Sequence, residues 1–172
     1  MEKKIIVING TGGSGKDTFV SYCKKYCNIF NFSSIDKIKE IAATMGWDGG
    51  KTEKDRKFLS DLKSLASNYN DLPFNCIKES VDEFYASDSD IMFIHIREPK
   101  EIKRVVDEYN ALSLLIKRKN YELIKSNTSD ANVENYDYDY IIENETLDKL
   151  DEDARKFISE LFNKSHLTCE NS

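Results

Sequence analysis

Gly10-Thr11-Gly12-Gly13-Ser14-Gly15-Lys16-Asp17 is the stretch on which the reading of this chain turns. An apolar run, Ile5-Ile6-Val7-Ile8, precedes it and reads as a buried strand. Thr18-Phe19-Val20-Ser21-Tyr22-Cys23 follows and reads as a helix. Strand, Gly-rich turn ending in Gly-Lys, then helix is the context that makes a phosphate-binding loop credible. Glycines let the backbone wrap closely around phosphate oxygens. The N–H groups of the loop and of the helix N-terminus then point at the anion. Gly10, Gly12, Gly13, Ser14 and Gly15 are therefore the candidate cradle, and Lys16 carries a full positive charge to the terminal phosphates. The plain alternative is a Gly-rich turn in an ordinary α/β protein.

The residue after the lysine departs from the usual pattern. That position normally carries Ser or Thr, whose hydroxyl binds Mg²⁺. Here it is Asp17, with Thr18 next. A carboxylate in a first helical turn suits the helix dipole, and Mg²⁺ is a hard, oxygen-seeking ion. Asp17 is thus a candidate metal residue, directly or through water. A carboxylate beside a triphosphate also repels it unless a cation lies between. The alternative role is capping of the helix.

The 172 residues suffice for one well-buried domain. Lys and Arg number 25 against 31 Asp and Glu, a formal net charge of −6, which argues against a nucleic-acid coat. A small anionic substrate stays compatible, because a local cationic pocket is sufficient. The apolar run after Met1-Glu2-Lys3-Lys4 is too short for a secretory signal, and no stretch approaches the length of a membrane span. The cysteines, Cys23, Cys27, Cys76 and Cys169, include no C-x-x-C pair, so they read as reduced cytosolic thiols rather than a zinc site or disulfide framework. The expected location is the cytoplasm, without nucleic-acid or membrane partners, as a monomer or homodimer.

Along the chain, strand one covers about residues 3–8, and the helix after the loop runs to about Cys27. Ile29-Phe30-Asn31-Phe32 is a short strand. Ser33-Ser34 offer an N-cap to a helix over Asp36–Ala43, where Asp36 and Lys39 share one side as a surface ion pair. Thr52-Glu53-Lys54-Asp55 resembles a capping box opening a helix to about Tyr69, with Phe58, Leu62, Leu65 and Tyr69 as its buried stripe. Arg56, Ser60, Lys63 and Ser67 recur on a polar face of that helix, by itself a solvated surface. Pro73 starts a helix to about Ala86, with Ile77, Val81 and Phe84 inward.

Ile91–Ile96 reads as a strand buried on both faces, with His95 a core residue, Arg97 at its carboxyl end, and Glu98-Pro99 opening a helix. Ala111–Ile116 is the fourth strand, followed by Lys117-Arg118-Lys119. Residues 118–135 are polar and read as a mobile excursion. Asp137–Ile142 is the fifth strand, stopped by Glu143-Asn144. Thr146 caps a last helix with Leu147, Leu150, Ala154, Phe157 and Leu161 inward, and the tail from about His166 is expected to be disordered.

Five strands with intervening helices predict an α/β protein, a parallel sheet with helices on both faces. In such sheets the ligand crevice lies at the carboxyl ends of the strands. Lys16, Arg97 and Lys117/Arg118 all fall there, with Arg56 and Lys63 from the helical insertion. Phosphoryl transfer needs this concentration of cations, because catalysis is mostly positioning and charge stabilisation. Arg suits it by binding phosphate bidentately. The number of cations beyond the loop suggests a second phosphorylated ligand.

Gly10 to Thr18, ending Gly-Lys-Asp-Thr, resembles the loop of the deoxynucleoside monophosphate kinases of bacteriophages and some bacteria, within the P-loop nucleoside monophosphate kinase group. The similarity continues through Asp36–Glu40, Asp55-Arg56 to Lys63, His95–Pro99, Asn127–Asp130 and Tyr138–Asn144. The resemblance implies a three-layer P-loop NTPase fold in three parts: a core (1–32, 88–117, 136–165), a monophosphate-binding region (33–87) and a short lid (118–135). It implies transfer from ATP, with Mg²⁺, to a nucleoside or deoxynucleoside monophosphate. Gly10 to Thr18 would hold the ATP phosphates. Asp36, Lys39, Arg56, Lys63 and Arg97 would face the acceptor. Arg118 would bridge the transferring phosphate or stack on adenine, and Lys16, Arg97 and Arg118 would be the catalytic cations.

The chain departs from common nucleotide kinases at two points. Its lid has a single Arg, Arg118, and no acidic residue ends the third strand, Glu98 being the nearest. The Gly-Lys-Asp loop also looks like that of animal phosphomevalonate kinase, and dephospho-coenzyme A kinase is a further relative by fold. A non-nucleotide monophosphate is thus an alternative acceptor. A non-enzymatic ATP switch is a further alternative, one that needs no acceptor site.

Overall fold

The computed structural model describes residues 2–118 and 133–163. The central sheet has five parallel strands in the order β2-β3-β1-β4-β5. They are β1 (Lys4–Asn9), β2 (Ile29–Ser33), β3 (Ile91–His95), β4 (Leu112–Arg118) and β5 (Tyr140–Asn144). The helices are α1 (Lys16–Cys23), α2 (Asp36–Thr44), α3 (Glu53–Asn70), α4 (Leu72–Ala86), α5 (Pro99–Tyr109) and α6 (Leu147–Asn163). The fold is the three-layer α/β arrangement expected from the strand and helix alternation.

Alternation along the strands feeds two cores. Ile5 and Val7 of β1 and Met92 and Ile94 of β3 face α4 and α5, meeting Ile77, Val81, Phe84, Ile102 and Val105. Ile6, Ile8, Ile91 and Phe93 face the other way, against Phe19 and Val20 of α1 and Leu150, Phe157 and Leu161 of α6. The central strands are apolar on both faces for this reason. At the amino end of the sheet, Lys3 Nζ donates to the carbonyls of Phe84, Ser87 and Ser89 at 2.6–3.0 Å, a cation on the C-terminal end of α4.

Several expectations are corrected. Helix α1 ends at Cys23, not near Cys27, because the amides of Lys25 and Tyr26 bond carbonyls three residues back and tighten the chain into turns. Ser33 and Ser34 do not cap α2. Ser33 ends β2, and both the amide and the hydroxyl of Ser34 go to the carbonyl of His95, at 3.3 and 3.2 Å. The capping box of α3 is formed, with Asp55 N to Thr52 Oγ1 at 3.2 Å and Thr52 N to Asp55 Oδ2 at 2.9 Å. Its apolar stripe is not buried: Leu65 is 66% and Tyr69 85% exposed, because α3 packs on other helices and not on the sheet. Leu147 likewise stands exposed at the start of α6, although Thr146 does cap that helix.

The fifth strand begins three residues later than expected. Asp139 turns its carboxylate back onto the amide and hydroxyl of Ser113, both at 2.8 Å, and the Ser113 hydroxyl receives the Asp139 amide at 3.0 Å. Pairing then starts at Tyr140 opposite Leu114. Tyr136, Tyr138 and Tyr140 serve packing, the first two edge to face with each other and the third edge-on to Phe157. The thiols of Cys23 and Cys27 are pushed up by burial, Cys27 to about 11, so both stay protonated. Lys119, the Asn127–Asp130 segment, Cys169 and the tail from His166 lie outside the described residues.

Candidate functional site

The site forms where β1, β3 and β4 end side by side. Asn9, the last residue of β1, is fully buried. Its Oδ1 accepts the amide of Gly10 at 2.8 Å. Its Nδ2 donates to the carbonyl of Arg97 at 3.2 Å and to the hydroxyl of Tyr138 at 2.7 Å, and that hydroxyl donates to the carbonyl of Val133 at 2.7 Å. One side chain thus ties the start of the loop to the segment carrying Arg97 and to the approach to β5.

The loop itself admits little beyond glycine at two places. Gly10 has φ +154°, and a Cβ there would lie 2.5 Å from the Ile116 carbonyl of β4 and from Ser14 Oγ. Gly15 has φ +100°, and a Cβ would strike the Asn144 amide. Asn144 ends β5 and its Nδ2 donates to the Ser14 carbonyl at 3.0 Å. Lys16 Nζ donates to the carbonyls of Gly10 at 2.6 Å and Thr11 at 3.2 Å, curling over the concave side of the loop. Ser14 Oγ is buried without a hydrogen-bond partner, an unusual state for a hydroxyl inside a protein.

Asp17 and Thr18 stand in the first turn of α1, Asp17 exposed. Arg97 is exposed just past β3, and Arg118 is exposed at the last position of β4, in register with Asn144. Lys16, Asp17, Arg97 and Arg118 are therefore brought to one rim by three adjacent strand ends. Asp36 and Lys39 pair with each other at 3.6 Å on the exposed side of α2. Arg56 stands on the exposed face of the first turn of α3. Lys63 is pulled aside: its Nζ lies 2.7 Å from Glu101 Oε2 on α5, with only 17% of the side chain exposed. Lys117 pairs with Glu134 at 3.1 Å.

His95, expected in the core, is half-buried at the end of β3. Its Nε2 donates to Asn31 Oδ1 of β2 at 2.8 Å. Burial holds its pKa below the ordinary value. Asp17 and Asp36 act against this and Lys16 and Lys39 reinforce it. Sequence reasoning gave no individual site role to Asn9, Asn144 or His95. The available signal was a polar residue closing an apolar strand beside the loop, a position that strand alternation alone does not explain.

No family model and no curated protein matches this chain. Among solved structures, it is similar to TT1252 from Thermus thermophilus, with a TM-score of 0.53 at 16% identity over 94% of this chain and 99% of that one. It is also similar to a sugar kinase from Janibacter sp. HTCC2649, with a TM-score of 0.50 at 18% identity over 91% of this chain and 95% of that one. At this identity the likeness establishes the shared fold.

Proposed function

We propose that the protein transfers a phosphoryl group from ATP to a small phosphorylated acceptor, a nucleoside or deoxynucleoside monophosphate being the first choice. The observation that carries this reading is the convergence of Lys16, Arg97 and Arg118 on one rim, at the ends of β1, β3 and β4. The sharing of a fold with a sugar kinase is consistent with a phosphotransferase.

The loop amides and the N-terminus of α1 hold the donor phosphates. Lys16 leaves the carbonyls of Gly10 and Thr11 and binds the terminal phosphates, and Ser14 Oγ gains an acceptor there. Arg97 holds the acceptor phosphate as a bidentate cation, and Arg118 stabilises charge on the transferring group. The carboxylate of Asp17, in the first turn of α1, is the kind of ligand a hard divalent cation takes, and Asp17 would hold Mg²⁺. Bound there, Mg²⁺ would neutralise charge on the phosphate oxygens. Asp36, Lys39 and Arg56 line the acceptor side. The protein works in the cytoplasm, with ATP and a small phosphorylated compound as its partners.

The test is ADP release from Mg·ATP by the purified protein across ribo- and deoxynucleoside monophosphates, phosphomevalonate and dephospho-coenzyme A. Stimulation by one nucleotide class is the expected result and names the substrate. Stimulation by a non-nucleotide phosphate keeps the mechanism and changes the acceptor. Slow hydrolysis indifferent to every compound overturns the reading in favour of an ATP switch.

A further inference from the structure

Phosphate-loop proteins hold their metal with two protein groups: the hydroxyl after the loop lysine and a carboxylate from a neighbouring strand. In this chain the position after Lys16 is the carboxylate Asp17, and β3 ends on His95.

The geometry puts His95 on the face of the sheet that α1 covers. Ile91, Phe93 and His95 alternate onto one side of β3. Ile91 and Phe93 share a core with Phe19 and Val20 of α1, and the rings of Phe19 and Phe93 meet edge to face at 6.4 Å. His95 lies in register with Ile8, two residues before the loop. Burial holds the imidazole pKa below its ordinary value, and Lys16 and Asp17 of α1 and Asp36 and Lys39 of α2 are among the charges felt there. Asn31 Oδ1 accepts from Nε2 at 2.8 Å, which fixes the ring at the strand end.

We infer that the negative charge of the metal site has moved from the end of β3 to the first turn of α1, with His95 keeping the strand position neutral. The physical reason is charge balance. A hydroxyl on the helix and a carboxylate on the strand together contribute one negative charge, and so do Asp17 and a neutral imidazole. Carboxylates at both places would double the charge beside the polyphosphate and add to its repulsion. His95 is in this view a neutral occupant of the strand end, fixed by Asn31, and the metal would be held by Asp17 and the phosphates. The inference rests on the nucleotide-binding reading given above.

The test is retention of Mn²⁺ in the ADP complex, followed by electron paramagnetic resonance, alongside ADP binding in excess chelator. Asp17→Thr is expected to weaken Mn²⁺ retention at least about tenfold, with chelator-treated ADP binding unchanged within about threefold. The double variant Asp17→Thr/His95→Asp is expected to recover retention to within about threefold of wild type, because it restores the carboxylate at the strand end. His95→Asn, which stays neutral, is expected to retain Mn²⁺ like wild type.

The inference is overturned if Asp17→Thr retains Mn²⁺ fully. It is also overturned if the double variant, folded by circular dichroism, does no better than Asp17→Thr, or if His95→Asn alone loses the metal. Failure of the wild-type protein to bind ADP or ATP under any condition refutes the nucleotide reading itself, and the inference falls with it.

Discussion

Asn144 at the end of β5 donates its side-chain amide to the Ser14 carbonyl at 3.0 Å, propping the glycine-rich loop from the side of the sheet away from β3. The same amide fills the space that a Cβ on Gly15 would occupy. A residue 130 positions along the chain therefore helps fix the loop in shape before any ligand arrives. Asn144→Ala is expected to weaken ATP binding about three- to tenfold, the worth of one partly buried hydrogen bond. Titration of a fluorescent ATP analogue measures it, and wild-type affinity in that variant would show that the loop holds its shape unaided.

Lys16 opens α1 and Arg97 follows β3, and the two are expected to fail differently. Lys16→Ala should lower the phosphoryl-transfer rate by at least about two orders of magnitude, as loss of one charge-stabilising group does. Arg97→Ala should abolish acceptor-dependent turnover while ATP binding stays nearly intact. Steady-state kinetics with both substrates varied, read beside ATP binding, separates the two. Lost ATP binding in Arg97→Ala would remove it from the acceptor site.

Lys63 is held by Glu101 across the α3–α5 junction, mostly out of solvent. A double-mutant cycle with Lys63→Ala and Glu101→Ala is expected to give a coupling of about 1 kcal/mol in denaturant unfolding, between the values for exposed and buried pairs. If Lys63 is purely a strut, Lys63→Ala leaves the acceptor KM unchanged. Zero coupling together with a raised acceptor KM would return Lys63 to the acceptor site.

The Tyr138 hydroxyl is buried between Asn9 and Val133, and burial pushes its pKa up to about 12. The unfolded chain ionises this phenol near 10, so between about pH 10 and 12 the folded state holds the extra proton. The contribution of Tyr138 is full below pH 10 and is lost as pH rises toward 12. Urea melts of wild type and Tyr138→Phe should differ most at neutral pH and converge through that window. The difference cancels the parallel titration of Cys27, whose thiol is also raised. A gap that stays constant from about pH 8 to about pH 12 would contradict the buried, neutral phenol.

The loop was legible because its chemistry is local. A strand, glycines, a lysine and a helix start lie within about twenty consecutive residues, and each constrains its neighbours directly. The buried strand Ile91–His95 and the helix opened by Pro99 were legible for the same reason. Leu65 and Tyr69 misled because their helical spacing marks a potential apolar face, whereas burial depends on what packs against it. Asp139 misled because a carboxylate that bonds backward to Ser113 looks, in sequence, like one more alternating strand position.

By itself the sequence determined the α/β class, the glycine-rich loop between strand and helix, and the set of cations that could join it. These follow from propensity, periodicity and spacing, which are properties of neighbouring residues. Only the tertiary structure decided which of those cations share a rim. The order β2-β3-β1-β4-β5 sets the ends of β3 and β4 on either side of β1, which brings Arg97 and Arg118 to Lys16. It decided equally that Asn9 and Asn144 brace the loop, and that Glu101 takes Lys63. Strand order and side-chain partners depend on contacts between residues far apart in the chain, and no local pattern encodes them.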